Sequence, residues 1–194
     1  MRELIFLLEE ESAKAFLESL LPRFLDPSIK TRLIAFEGKQ DLEKQLTKKI
    51  QNYVNPTAYF IVVRDQDSHP NCTALKNTLL LKCNASGKLH NCLVRIACKE
   101  LESFYLADLA SLAKAMSITG LEKHQNKSLY RTTDSCMNPS KELSKLTNGK
   151  YQKVSHSREI GRVLDLNNTR SQSFSNLLSG IKKLEKALLQ VACH

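Results

Sequence analysis

Acidic residues stand at three points of this chain where their type and spacing could hold a hard cation. Glu9-Glu10-Glu11 follows the apolar run Leu4-Ile5-Phe6-Leu7-Leu8, and Asp65-Gln66-Asp67 follows Tyr59-Phe60-Ile61-Val62-Val63. Glu100-Leu101-Glu102 comes shortly after Leu93-Val94-Arg95-Ile96-Ala97. Carboxylates gathered in one place repel unless a cation sits among them, and an all-oxygen set suits Mg²⁺ or Mn²⁺. Glu9 is the best ligand of its cluster, because it comes first after the apolar run. Glu10 and Glu11 suit the positive end of a helix dipole. Asp65 and Asp67, two apart, would face the same way in extended backbone. Glu102, and after it Glu100, would complete the set. For each site the plain alternative is a solvated helix-start or loop carboxylate.

Such residues need elements to position them. Apolar runs at 4–8, 31–36, 57–63 and 91–97 read as strands. Between them, 12–25 reads as a helix with Ser12 as N-cap, 40–51 as a basic amphipathic helix, and 71–83 as another, closed by Asn84-Ala85-Ser86-Gly87. Pro22 is expected to break or end the first helix early. From Glu100 a helix follows, with Leu101, Phe104, Tyr105, Leu109 and Leu112 on one broad face. Alternation of this kind implies an α/β fold with a mostly parallel central sheet and helices on both faces. The strand ends would then open onto one crevice. Residues 1–117 form this core. Residues 118–194 read as a basic, irregular extension, with one or two short helices including one near 140–146, and a closing amphipathic helix over 171–192. The whole is one structural domain.

Composition narrows the function. The net charge is +9. Residues 1–110 hold 15 Lys and Arg against 14 Asp and Glu, and residues 111–194 hold 14 against 6. A basic segment beside an acidic metal crevice suits a polyanion; a solvated basic surface is the alternative. No apolar run reaches the ~20 residues of a membrane helix. The Glu9-Glu10-Glu11 cluster and the lack of a small-residue cleavage site argue against a signal peptide, so a cytoplasmic location is expected. The six cysteines form no C-x-x-C pair and read as idle thiols. His69 with Cys72, His90 with Cys92, and Cys193 with His194 lack the repeated spacing of a zinc site. Aromatic residues are 6% of the chain and Trp is absent, which disfavours broad base stacking. No G-x-x-x-x-G-K-[ST] loop occurs, so any ATP hydrolysis would belong to a partner. Ser155-His156-Ser157 offers a nucleophile and a base without an orienting acid.

Leu8-Glu9-Glu10-Glu11-Ser12 leading into a helix resembles the first Toprim motif, and Val63-Arg64-Asp65-Gln66-Asp67 resembles its D-x-D motif. Ile96 to Tyr105 is similar to the acidic segment of the Toprim nucleases in the overcoming-lysogenization-defect group. Over most of its length the chain resembles a bacterial family of Toprim-like proteins known as a domain of unknown function. The match runs through Phe36 to Leu42, Arg64 to Ser68, Lys99 to Ser103, Tyr151 to Val154, and Ser157-Arg158. The resemblance implies a Mg²⁺-dependent nuclease site acting on DNA or RNA, and an ATPase partner in anti-phage defence. Glu9, Asp65, Asp67 and Glu102 would be catalytic, with Glu100 as a further metal ligand. Glu9 is also a candidate general base. Lys39, Lys153 and Arg158 are candidates for phosphate contacts, ahead of Lys150 and Arg170. Many Toprim domains carry Gly where Glu10 stands, so a crowded turn is expected there. A homo-oligomer stays open as a state of the protein, and so do two alternatives in function: a non-catalytic nucleic-acid-binding or regulatory module, and a receiver-like phosphoacceptor. Against the last, Ala97-Cys98 replaces the hydroxyl residue expected after the fourth strand, and the chain is too long.

Overall fold

The computed structural model describes residues 2–190. The chain alternates β1 (Glu3–Leu8), α1 (Glu11–Leu20), β2 (Lys30–Ala35), α2 (Lys39–Gln51), β3 (Tyr59–Asp65), α3 (Cys72–Ala85) and β4 (Cys92–Ala97). The strands lie in the order β2-β1-β3-β4, and every pairing is parallel. After β1 the chain steps to one side, and after β2 it crosses to the other. The path therefore reverses between β1 and β3, which in open parallel sheets is where a ligand crevice forms.

All six residues of β1 are buried, as a strand covered on both faces requires. The period of two deals them into separate cores. Leu4, Phe6 and Leu8 join Phe16, Leu17 and Leu20 of α1. Ile5 and Leu7 join Leu42, Leu46 and Ile50 of α2, with Leu79 of α3. Helices thus cover both faces.

Beyond β4 come α4 (Glu102–Leu106), α5 (Leu109–Met116), α6 (Ser128–Arg131), α7 (Pro139–Leu146), α8 (Lys153–Val163) and α9 (Gln172–Gln190). Phe174, Leu177 and Ile181 of α9 fill the α1 side of the sheet. The single helix expected from Glu100 is broken at Ala107-Asp108. Asp108 caps α5 by accepting from the Ser111 N–H (3.0 Å), and it also accepts from the Asp165 N–H (2.9 Å). A carboxylate serving two backbone donors outweighs continuity of the helix.

The irregular reading of 118–194 needs correction at α8, which runs for 11 residues. It lies along α1 with Gly161 against that helix, where an added Cβ would collide with the Phe16 carbonyl oxygen. Helices this close are held by backbone approach, so the apolar stripe that betrays most helices is thin here. Ser12 is also not the cap of α1. The helix starts at Glu11 with Glu10 as N-cap, and the buried Ser12 hydroxyl donates to Glu10 Oε1 (2.7 Å). Pro22 sits in a 3₁₀ turn (Leu21–Arg23) that ends α1 before residue 25.

Cys72, Cys83, Cys92, Cys98 and Cys136 are free thiols. Cys193, His194 and the last two residues of the expected closing helix lie outside the described residues. Among the described residues no helix is long and apolar enough to cross a membrane.

Candidate active site

The crevice is built where β1 and β3 leave the sheet. Leu8 pairs with Ala35 on one side and Val63 on the other. Glu9 then turns out. Its carbonyl accepts from the Gly38 N–H (3.0 Å), and its Oε2 accepts from the Asp65 N–H (3.1 Å). Gly38, at φ +102°, takes the left-handed turn into α2 that a side chain would resist. Glu10 is extended, at φ −153° and ψ 169°, so any residue fits there and the expected crowding does not arise.

Asp67 needs a second correction. β3 ends at Asp65, and Asp67 lies at φ +51°, so the pair does not share extended backbone. Instead the Gln66 N–H donates to the Ala97 carbonyl (2.9 Å) and the Asp67 N–H to the Lys99 carbonyl (2.7 Å). Lys99 is itself left-handed, at φ +63°. Left-handed backbone costs a non-glycine residue roughly 1–2 kcal/mol, less for Asp. Two such residues bonded across one crevice mark a shape held against local preference.

The resulting cleft measures about 370 Å³ and is lined by Glu9, Glu10, Asp65, Asp67, Glu100, Lys39 and Lys153, among others. The Asp65 carboxyl is held well above the usual carboxylate range, first by burial and then by Glu102, Glu9, Glu10 and Asp67. Burial also raises Glu9; the Asp65 N–H and Arg64 oppose this, while Asp67 and Glu10 reinforce it. Glu102 is 1% exposed and raised by burial, with Lys153 opposing. One of its oxygens accepts from the Tyr151 hydroxyl (3.2 Å). The other, Oε2, is buried with no donor among the described residues, a costly arrangement for a charged group.

Two cations balance the cleft. Lys39 Nζ lies 3.0 Å from Asp67 Oδ2, and Lys153 Nζ lies 2.6 Å from Glu10 Oε1. Burial works against the Lys153 charge, but Glu10, Glu102 and Asp65 outweigh it and its pKa is raised. Glu100 lines the cleft yet is engaged, its Oε2 accepting from the Ser140 N–H at the start of α7 (2.7 Å). Arg158 pairs with Glu18 (2.8 Å) where α8 meets α1 and is not among the lining residues. Ser157 and His156 serve structure. Ser157 Oγ accepts from the Tyr105 hydroxyl (2.9 Å), and His156 Nδ1 accepts from the Gln152 N–H at the start of α8 (2.6 Å).

Sequence reasoning passed over Glu10 as a helix-start residue and gave Tyr151 no role. Glu10 carries the salt bridge to Lys153, and Tyr151 holds Glu102. The signals for Tyr151 were its place two residues before Lys153 and the resemblance that runs through Tyr151 to Val154.

Among the described residues no group of three or more His, Cys, Asp or Glu side chains could hold a metal ion. Lys39, Lys153 and the Ser140 N–H draw three of the acids aside. In chemistry the donors still fit a hard divalent cation: all are carboxylate oxygens, and Glu102 keeps a buried oxygen without a donor.

A parallel α/β protein with an acidic cleft at its topological switch point is thus defined. The chain belongs to a family described as a domain of unknown function, DUF4276, matched over residues 8–182. No curated protein and no solved structure matches it.

Proposed function

We propose that this protein is a Mg²⁺- or Mn²⁺-dependent nuclease of Toprim-like design that hydrolyses phosphodiester bonds of DNA or RNA. In this reading it is the cytoplasmic effector of an ATPase-partnered anti-phage system, the chain itself having no nucleotide-binding phosphate loop. The carrying observation is Asp65, whose carboxyl is crowded by Glu102, Glu9, Glu10 and Asp67 at the C-terminal end of a central parallel strand. Like charges assembled and partly buried are expected where a cation and a reacting phosphate bind.

Glu9, Asp65, Asp67 and Glu102 form no ready ligand set as they stand. They would hold the cation only after drawing together, with Asp67 released from Lys39, Glu102 turned into the cleft whose wall it does not line, and Glu100 available once it leaves the Ser140 N–H. The cation would polarise the scissile phosphate and lower the pKa of a bound water. Alternatively Glu9, whose carboxyl is raised by burial, would serve not as a ligand but as the general base that accepts a proton from the attacking water. Lys39 and Lys153 can exchange their carboxylate partners for phosphate oxygens and offset charge in the transition state. Arg158 supports α8 through Glu18, and so the position of Lys153.

The test is cleavage of duplex DNA, single strands and transfer RNA with Mg²⁺ and with Mn²⁺. Asp65→Ala should remain folded and lose about 100-fold or more in rate. An unchanged rate in that variant, or wild-type protein that cuts none of the substrates, defeats the reading. A second reading, a non-catalytic nucleic-acid-binding module, is favoured by the two lysines that already neutralise Asp67 and Glu10. It expects salt-sensitive binding and no turnover with either ion.

A further inference from the structure

A second groove lies away from the carboxylates. It measures about 1000 Å³ and lies between α2 and the exposed edge strand β2. Lys30 and Arg32 stand on one wall, and Lys44, Lys48 and Lys49 on the other. All five are exposed, and none makes an ion pair among the described residues; the salt bridges there involve other cations. The one acid in the lining, Glu3, is 6% exposed and already accepts from Asn55 Nδ2 (2.9 Å). The groove therefore carries five cations outside any ion pair among the described residues against the one carboxylate of its lining, Glu3, while Asp41 of α2 lies within electrostatic range of Lys44 and Lys49.

Their spacing is regular for a physical reason. Residues 30 and 32 lie on one face of a strand, roughly 6.6 Å apart. Residues 44 and 48 lie one helical turn apart, roughly 6 Å. Two cation rows facing each other across a groove suit a chain of evenly repeated anions. Arg32 lies over the Tyr53 ring, 5.9 Å from its centroid, which fixes a guanidinium at one end. An acidic protein partner fits less well. Ile34, Tyr53 and Val54 also line the groove, but protein interfaces are depleted in Lys, whereas Lys and Arg neutralising phosphates are the main source of nucleic-acid affinity.

We infer that this groove binds the phosphodiester backbone of a nucleic acid. The inference stands whether or not the cleft hydrolyses anything, because groove and cleft share no lining residue. α2 links them: Lys39 at its start lines the cleft, and Lys48 lies roughly 14 Å further along its axis.

The experiment is fluorescence anisotropy of labelled single-stranded and duplex oligonucleotides, in EDTA, over a salt series. The full chain is compared with the triple variant Lys44→Gln, Lys48→Gln, Lys49→Gln. A control triple, Lys123→Gln, Lys127→Gln, Lys141→Gln, removes equal charge elsewhere. The groove variant should bind more weakly and lower the slope of log affinity against log salt by about 2 on single strands, from ~0.7 per phosphate contact. The control should keep the wild-type slope. Binding is read in EDTA, where the cleft has no cation, so a failed cleavage assay and failed groove binding are separate results. Equal loss in both triples, unchanged binding in the groove triple, or wild-type protein that binds no oligonucleotide, with or without binding to poly-glutamate, overturns the inference.

Discussion

The cleft and the groove both use α2 and handle charge in opposite ways. In the cleft, acids outnumber cations, and both lysines are tied to carboxylates at 3.0 Å or less. In the groove, five cations line the walls and the one acid is buried beneath Tyr53 and Asn55. Charge held against its own kind raises carboxylate pKa values and costs stability. Charge left exposed and unpaired costs little and stays available to a ligand. The first arrangement suits chemistry on a bound phosphate, and the second suits holding the rest of the polyanion.

The comparison breaks most sharply at Asp65. Asp65→Ala should lower metal-dependent cleavage about 100-fold or more without weakening oligonucleotide binding in EDTA; parallel loss of both would merge the two regions into one. Next in size is Gly161→Ala. Its methyl must displace Phe16 of α1, so a cost of about 1–3 kcal/mol is expected, read as a thermal midpoint lowered by several degrees. Because α8 carries Lys153, cleavage should suffer as well and groove binding should not.

A smaller effect concerns pH. The Asp65 carboxyl is raised on folding, so the native state binds the proton more tightly than the unfolded chain does. Stability from this group is full below the unfolded carboxylate range and is lost as pH rises through the raised folded value. Asp65→Asn should therefore melt higher than wild type at pH 8 in EDTA, by about 2–4 °C for each kcal/mol of repulsion relieved, and the gain should shrink towards pH 4. Mg²⁺ should raise the midpoint of the wild type more than that of the variant. The smallest effect is on groove variants, whose stability should stay within about 0.5 kcal/mol of wild type.

Much of the scaffold was legible because burial leaves periodic marks. The four strands appear near their expected places, since β1 is a continuous apolar run between charged flanks and β3 one between an Asn55-Pro56 turn and Arg64-Asp65. Glu9 and Asp65 were legible for the same reason: they are the first acids after those runs. α8 was not, because glycine packing against Phe16 replaces an apolar stripe. The left-handed placement of Asp67 escaped because it depends on the Lys99 carbonyl, 32 positions away in the chain. The groove escaped because residues 1–110 are nearly neutral in total, and a sum hides segregation.

What the sequence determined alone is the alternation of strand and helix, the two-faced burial of β1, and the position of each acid at an element's end. These follow from local periodicity and from solvation of charge next to apolar runs. Only tertiary structure decided which lysines neutralise the acids, that Glu102 is buried with one oxygen unpartnered among the described residues, and that five cations from two elements line one groove outside any ion pair there. Those outcomes depend on which distant segments the parallel pairing brings within hydrogen-bond or Coulomb range, and no local pattern encodes that distance.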